Sequence, residues 1–298
     1  MKKIILVLFL LLAFLLCSCN LASNTNSNTN TNTNTNTNTN TNTNTNTNTN
    51  TSSDTSTNTS IDTSTSTEPK EQCTYLEFYL MDNDEYEVRG LLDESITDLV
   101  IPSTYEGKIV SAIRGEAFMS SAITSVQIPS TIDTIGYFAF GECKSLTYNE
   151  YENGHYLGNS ENPYLVFVKP TSTDITEIKV HNDTKIINGG AFIQCKSLQS
   201  VEFGTSIVEI GMWCFYECDS LTSLTIPTGT KRLSALVCYK CPNLKTVMIP
   251  STVESIFKNA FKRCDSLTTI VCAMEKAPEG FMQGWNDTSA EVIWWADK

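Results

Sequence analysis

Cysteine is the residue type with the most evident chemical potential in this sequence, which contains eleven cysteines in 298 residues. Four of them recur at intervals of 23 residues, at Cys195, Cys218, Cys241 and Cys264. Such a column of thiols can pack as small buried apolar groups, form disulfides or bind zinc. Equivalent side chains that point the same way suit a disulfide poorly, and one ligand per repeat does not surround a tetrahedral ion. We therefore expect a buried column, with disulfides and zinc as the alternatives.

Histidine and carboxylate residues offer little further chemistry. The chain has two histidines, His155 and His181, and neither stands in a recognisable nucleophile–base context. The sequence contains no phosphate-binding glycine loop, no Gly-x-Ser-x-Gly and no His-Glu-x-x-His. The acids Asp82, Asp84 and Glu85 could bind calcium, but a solvated acidic loop is the favoured interpretation. The sequence thus predicts no catalytic, cofactor-binding or metal-binding residues, and a protein that is not an enzyme.

The charge of the chain excludes another class of function. The formal net charge is −13, and without Lys2 and Lys3 the remaining 18 basic residues face 33 acidic ones. Since no run of basic residues remains, we expect neither nucleic-acid binding nor electrostatic binding to anionic lipid.

The first 19 residues have the composition of an export signal. Lys2 and Lys3 precede an apolar run over residues 4–16, which at about 1.5 Å per residue is too short to cross a ~30 Å bilayer core. The run ends in Leu16-Cys17-Ser18-Cys19, which resembles the lipobox of bacterial lipoproteins. The resemblance implies that Cys19 becomes the N-terminus and carries acyl chains, the only membrane contact expected. Cleavage to a free secreted protein is the alternative.

Residues 20–70 differ in composition from everything that follows. Asn alternates with Thr or Ser from Asn24 to Asn50, and the tract stays rich in Ser, Thr and Asn up to Thr67. Neither face of this alternating pattern is apolar, so pairing it as a strand would not offset the entropy of ordering it. We expect a disordered tether about 40 Å in root-mean-square length, or an expansion whose length was never selected.

A repeat of about 23 residues is the strongest signal in residues 71–298. Each unit has an apolar anchor often followed by Pro, a second apolar residue seven positions later, a small–bulky pair, a cysteine and a leucine. The anchors are Ile101, Ile128, Tyr151, Val180, Phe203, Ile226, Ile249 and Cys272, at intervals of 27, 23, 29, 23, 23, 23 and 23. Cys214 and Cys238 occupy a small and a bulky position in adjacent units, where they are expected to compensate each other in volume or to pair.

A unit this short cannot bury its own apolar side, whereas stacked units cover one another. We therefore expect a repeat solenoid that is mainly β, with short parallel strands, irregular or short helical outer segments, and one continuous core. The stretch from Leu221 to Ile226 is a typical strand, and Pro227 ends it because proline has no N–H donor.

The consensus Leu-x-x-Val-x-Ile-Pro-x-x-Val-x-x-Ile-Gly-x-x-Ala-Phe-x-x-Cys-x-Ser-Leu resembles the BspA-type leucine-rich repeat of bacterial surface proteins, related to repeats named after Treponema. Residues 143–146 and 207–226 carry the resemblance most clearly, and it extends over about residues 99–272. It implies surface display and binding of host matrix proteins or other cells, without catalytic residues. Asn149 and Lys231-Arg232-Leu233 depart from the consensus, so we expect local irregularity there.

Irregular spacing predicts the remaining boundaries. The solenoid of residues 99–272 carries a hairpin-like insertion near residues 152–174, and residues 71–98 and 273–298 are expected to form the N-terminal and C-terminal caps. The aromatic residues of the C-terminal cap are expected to form a lid over the last coil, with a carbohydrate-stacking platform as the alternative. These residues are Phe281, Trp285, Trp294 and Trp295.

The residue before each anchor is expected to point outward, and these residues form the central column of a broad strand face. The column consists of Val100, Gln127, Glu150, Lys179, Glu202, Thr225, Met248 and Val271. From Gln127 onward it changes from polar to apolar, and Met248 with Val271 would form an apolar patch that suits protein contact. An ordinary strand surface is the alternative.

These features predict an exported, lipid-anchored and surface-exposed protein of the bacterial envelope. Its expected function is adhesion to host matrix proteins or other cells, with an extracellular protein or cell-surface macromolecule as partner and no cofactor or small-molecule substrate. A structural or self-associating coat component without a soluble ligand is the first alternative. An enzyme or a transporter's binding lipoprotein is the second, and it is disfavoured because the repeat offers no two-lobed cleft.

Overall fold

The computed structural model describes residues 73–295, which lie within one compact unit, Ser66–Lys298. The predicted signal peptide of residues 1–19, with Cys19, and the predicted tether of residues 20–70 lie outside the described residues. Between residues 73 and 295 the regular structure is all β, and no helix there could cross a membrane. The strands are β1 (Leu76–Leu80), β2 (Tyr86–Leu91), β3 (Asp98–Val100), β4 (Thr104–Tyr105), β5 (Lys108–Ile113), β6 (Ser125–Gln127), β7 (Thr134–Ile135), β8 (Asn149–Tyr151), β9 (Gly154–Leu157), β10 (Val166–Pro170), β11 (Glu177–Lys179), β12 (Ile186–Ile187), β13 (Ser200–Glu202), β14 (Glu209–Ile210), β15 (Ser223–Thr225), β16 (Arg232–Leu233), β17 (Thr246–Ile249), β18 (Ser255–Ile256), β19 (Thr269–Cys272), β20 (Gly280–Phe281) and β21 (Glu291–Trp294).

Short parallel strands stack in two ladders, which confirms the solenoid. The front ladder contains the pairs β3–β6 and β11–β13 and the run β15–β17–β19–β21. The side ladder contains the parallel runs β2–β5–β7 and β10–β12–β14–β16–β18–β20. Equivalent residues of successive regular coils are paired, as Thr225 is with Met248 and Met248 with Val271. At the N-terminal end, β1 pairs with β2 in antiparallel fashion, as expected for a capping strand pair.

The outer wall between the side ladder and the next front strand consists of turns, so the expected outer segments are irregular and not helical. In the regular coils the residue before the small–bulky pair and the residue before the cysteine adopt left-handed backbone conformations. Leu236 and Lys240, both with φ of 57°, are one such pair. These turns direct backbone N–H groups at the next coil, and Phe215 N donates to Val237 O at 2.8 Å. The outer wall therefore forms a third ladder of hydrogen bonds between coils.

The expectation of one continuous core is wrong, because the buried apolar side chains form two clusters. One cluster lies mainly in residues 76–146 and the other mainly in residues 178–272. The insertion separates them, since β8, β9 and β10 form an antiparallel meander instead of a regular coil. A hairpin-like insertion was expected here, but not its effect on the core.

The meander serves as a wall between the two cores. Side chains alternate between the two faces of a strand, and here Leu157 and Val166 contribute to the N-terminal core while Tyr156 and Phe167 contribute to the C-terminal one. Phe167 stacks on Phe192 with the ring centroids 5.0 Å apart. The insertion thus supplies one bulky residue of the C-terminal core without supplying a whole coil.

A polar cluster joins the two halves across the outward surface of the side ladder. Arg232 Nη2 donates to Asp133 Oδ1 at 2.9 Å, to Asp133 O at 2.8 Å and to Thr134 Oγ1 at 2.9 Å. Glu209 Oε2 lies 3.6 Å from the same nitrogen. Burial raises the pKa of the Glu209 carboxyl, and the nearby Arg232 opposes this only in part.

The departure from consensus at Lys231-Arg232-Leu233 is therefore no local irregularity. Arg232 keeps its regular place in the ladder, opposite Glu209 and Ser255. Its side chain instead connects the C-terminal half to Asp133 of the N-terminal half.

We predict that Arg232→Met lowers the free energy of unfolding by about 1–3 kcal/mol, because it leaves several oxygen acceptors at the junction without their charged donor. Denaturant melts of residues 66–298 measure this. The matched control is Lys231→Met, which removes an exposed ion pair with Glu254 and should cost under about 1 kcal/mol. Equal costs for the two variants would contradict the structural role of Arg232.

Candidate functional site

The front face, meaning the outward side chains of the front ladder, is the candidate site. Apart from Val100 and Glu150, the predicted column has six residues. Five of these are exposed there, and the sixth, Val271, is partly exposed. The exposed ones are Gln127, Lys179, Glu202, Thr225 and Met248. Val100 is also 50% exposed, so the cap does not cover the start of the column.

The column is not continuous, however. Glu150 was expected between Gln127 and Lys179, but it lies on β8, which pairs only with β9 of the meander. A single bridge from Gln127 to Gly158 continues the face at this point. The prediction for Glu150 is wrong because the antiparallel meander replaces the coil that would have placed it on the front face.

The middle of the front face is polar and self-paired. Lys179 and Glu202 are register partners, and Lys179 Nζ lies 2.8 Å from Glu202 Oε1. The hydrogen bond to Glu202 raises the pKa of the Lys179 ammonium. Since both side chains are largely exposed, the pair adds little to stability, and it offers a partner no uncompensated charge.

The C-terminal end of the front face is apolar. Met248, Val271 and Ile293 are register partners on β17, β19 and β21. Met248 is 49% exposed and Ile293 is 41% exposed, so the patch is open to solvent. We call Met248, Val271 and Ile293 the apolar patch.

Ile293 was not predicted as a front-face residue, because β21 lacks the consensus residues of the repeat. Ile293 follows Val271 by 22 residues instead of 23, and no Leu or Pro marks its strand. The β-branched and aromatic run Val292-Ile293-Trp294 is the signal that could have identified a further rung.

The lid over the last coil is confirmed for two of its four aromatic residues. Phe281 and Trp285 pack against the C-terminal core, with ring centroids 5.4 Å apart. Trp294 is 36% exposed and its ring centroid lies 6.3 Å from that of Phe281, at the rim of the lid. Trp295 is 55% exposed, so the prediction that it forms part of the lid is wrong. Their strand adds to the front ladder beside β19 instead of folding across the end of the coil.

Both histidines lie at the insertion, among tyrosines. The His181 ring stacks on Tyr164 at 4.1 Å and meets Tyr151 edge-on at 4.7 Å. Burial and the charge of Lys169 lower the pKa of His155. These contacts are packing interactions of half-buried rings, and they give neither histidine a nucleophile to activate.

The four cysteines of the column are buried thiols, as expected. The nine cysteines in residues 73–295 are free, so Cys214 and Cys238 do not pair. Cys241 Sγ donates to Phe215 O at 2.8 Å, and Cys264 Sγ donates to Cys238 O at 2.9 Å. Both of these thiols thus donate to the backbone carbonyl at the bulky position of the preceding coil.

Two of the acidic side chains at residues 82–85 contact residues of β5. Asp84 pairs with Lys108, and Glu85 Oε2 accepts a hydrogen bond from Ser111 Oγ at 2.6 Å. Within residues 73–295, no group of His, Cys, Asp and Glu side chains has a geometry that could hold a metal ion.

The repeats of this chain match those of a known protein family. Six copies of the BspA type leucine rich repeat region match residues 93–160 and 169–277, more than half of the chain. The chain belongs to this family. Its members' repeats form solenoids that typically act as non-enzymatic binding scaffolds, which indicates a protein-binding role. No curated protein matches the chain.

Solved structures that match this chain come from several bacteria. A leucine rich cell surface protein from Faecalibacterium prausnitzii is 24% identical over 66% of this chain and 64% of that one, with a TM-score of 0.37. The T. pallidum leucine rich repeat protein is 17% identical over 75% and 84% of the two chains, with a TM-score of 0.34. The pneumococcal vaccine antigen PcpA is 13% identical over 68% of each chain, with a TM-score of 0.37.

We predict that a water-soluble maleimide labels one thiol, Cys73, in folded residues 66–298 and nine thiols after unfolding without reductant. Cys73 is partly exposed and the other eight are buried. Burial raises the pKa of Cys195 and of Cys272 to about 11, which leaves little reactive thiolate at neutral pH. Mass spectrometry counts the labels, and Cys73→Ser should abolish labelling of the folded protein. Fewer than nine labels after unfolding would reveal disulfides.

Proposed function

We propose that this chain is an exported, lipid-anchored protein of the bacterial cell surface that binds an extracellular protein or another cell-surface macromolecule through its front face. Adhesion to host matrix proteins or to other cells is the form of binding that we propose. The observation that carries the proposal is the exposed apolar patch at the C-terminal end of a strand face whose outward column is polar at Gln127, Lys179, Glu202 and Thr225.

The geometry of the patch favours a macromolecular partner. Three rungs at about 4.8 Å place its side chains on a nearly flat surface about 10 Å long, flanked by polar neighbours such as Thr225 and Thr246. A flat strand face does not bury a metabolite on several sides, as small-molecule sites do. It does present side chains at fixed spacing to another surface, with an apolar centre and a polar rim.

A groove on the outer wall is a weaker candidate. It has a volume of about 570 Å³ and is open, and its lining carries both signs of charge, including Lys196 and Asp219, which lie 3.7 Å apart. Four of its six charged side chains are paired with one another, because Lys240 also lies 3.2 Å from Glu217. We therefore place the binding site on the front face.

We predict that Met248→Glu with Val271→Glu weakens attachment at least about tenfold, because binding would then desolvate two carboxylates at the centre of the contact. The experiment uses residues 66–298 against immobilised matrix proteins and whole cells, with melting curves of every variant. Thr246→Glu, on the polar row beside the patch, is the matched control for added charge.

Two outcomes would contradict the placement of the site. Full attachment by the double variant, with loss of attachment in the insertion variant His155→Ala, would move the site to residues 152–174. Saturable attachment to no partner, together with open-ended self-association, would favour the coat component.

The lipid anchor is proposed from the lipobox-like Leu16-Cys17-Ser18-Cys19. We predict that Cys19→Ala abolishes incorporation of labelled fatty acid and releases the protein from membranes, because one cysteine sulfur carries the anchor. Membrane fractionation of cells expressing the full chain measures this, and Cys17→Ala should stay anchored. Unchanged labelling of the Cys19 variant would contradict the proposal.

A further inference from the structure

The front ladder ends at β21 with an open edge. In a parallel pair, alternate residues of a strand bond to the same neighbour. Glu291 N donates to Thr268 O and Trp295 N donates to Cys272 O, both at 2.9 Å, so residues 291, 293 and 295 face β19. The backbone N–H and C=O groups of Val292 and Trp294 therefore point away from β19. Among residues 73–295, no strand pairs with that side of β21.

This edge strand carries little of the protection that natural edge strands usually have, since its one charged side chain is that of Glu291. Such strands are typically guarded by lysine, proline, a bulge or a covering segment. β21 reads Glu-Val-Ile-Trp, pairs with β19 without a register shift, and is followed by Trp295. Ile293, Trp294 and Trp295 are all exposed, so the open edge is also apolar.

Charge distinguishes this end of the solenoid from the other. Residues 73–108, around the N-terminal cap, contain nine acidic and two basic residues, whereas residues 254–295 contain six acidic and four basic ones. Two identical surfaces repel each other least where the net charge is smallest. A second copy of the chain therefore meets little repulsion at the C-terminal end and much more at the N-terminal one.

We propose that the open edge of β21 pairs in antiparallel fashion with β21 of a second copy and so forms a closed, two-fold symmetric dimer. The outward backbone groups determine the register. Both Val292 and Trp294 are paired in each copy only when Val292 lies opposite the partner copy's Trp294, which gives four hydrogen bonds. The two-fold axis then passes between the two copies of Ile293.

The same register is favourable for the side chains. On the front face, Ile293 meets its own copy as a cross-strand apolar pair. On the opposite face, each Trp294 covers the other copy's Val292. The apolar patch of Met248, Val271 and Ile293 becomes one stripe of six rungs across both copies, about 24 Å long. Because the contact is isologous, it closes at two copies and does not propagate into a coat.

Oxidative crosslinking of residues 66–298 in a Cys73→Ser background tests the register. Residues at a non-hydrogen-bonded antiparallel pair have Cα atoms about 4.5 Å apart, within the range of a disulfide. Ile293→Cys should therefore give a covalent dimer on oxidation. Val271→Cys, whose copies would lie three rungs or about 14 Å apart, should stay monomeric. Equal crosslinking of both variants would overturn the register.

Sedimentation equilibrium tests whether the backbone edge makes the dimer. The wild-type unit should have twice the monomer mass at micromolar concentrations. Trp294→Pro removes the N–H that faces the open edge and keeps those that bond to β19, so it should raise the dimer dissociation constant about tenfold or more beyond Trp294→Ala, which keeps that N–H. A wild-type monomer up to about 100 µM, or equal effects of the two variants, would overturn the proposal.

This inference does not depend on the proposed function. The patch variant Met248→Glu with Val271→Glu should lose attachment and remain dimeric, whereas Trp294→Pro should lose the dimer and keep the patch of each copy. Loss of the dimer in the patch variant, with melting curves unchanged, would show that the two copies meet through their front faces instead of their edges.

Discussion

Hydrogen bonding between successive coils is the constraint on which the rest of this structure depends. In the regular coils of residues 177–281, backbone hydrogen bonds within a coil are confined to turns. The strands of each coil bond to those of its neighbours along the front ladder and the side ladder, and N–H groups of the outer wall bond to the next coil. The repeated left-handed residues, such as Leu236, direct outer-wall N–H groups to the neighbouring coil, and the buried thiols, such as that of Cys241, bond to carbonyls of the preceding one. A cysteine is suited to that position because it is small, apolar enough to be buried and still a donor.

The same constraint leaves the front face free to vary. Inward residues such as Leu224 and Val247 must fill the core of their coil, while the outward residues between them meet only solvent and their register partners. The front face changes from the paired Lys179 and Glu202 to the apolar Met248 at positions where core packing does not determine the residue type. Exposed apolar side chains at such positions are more readily explained by contact with a partner than by stability.

Periodicity predicts what each coil shares with its neighbours and misses what joins distant coils. The ladders, the inward anchors and five exposed residues of the front face follow from the 23-residue spacing, because equivalent positions in a solenoid have equivalent environments. The Arg232–Asp133 contact links residues 99 positions apart, and Lys185 Nζ likewise donates to Ser130 O and Ile132 O across the two halves. The division of the core and the loss of Glu150 from the front face have one cause, the antiparallel meander, whose packing against both halves is not encoded in the repeat.

The terminal coils of a solenoid have no further coil to cover their apolar core and their backbone edge. The two ends of this solenoid are covered in different ways. At the N-terminal end the chain reverses, so that β1 covers β2 in antiparallel fashion and the acidic residues around it oppose further stacking. At the C-terminal end β20 and β21 extend both ladders by one more parallel rung each, and Phe281 and Trp285 close the core from within. A parallel strand added to the end of a ladder pairs with the previous strand and leaves its own outer edge unpaired. The apolar character of β21 is therefore understandable if a further strand completes the ladder, and a second β21 is the strand whose outward backbone groups match it in register.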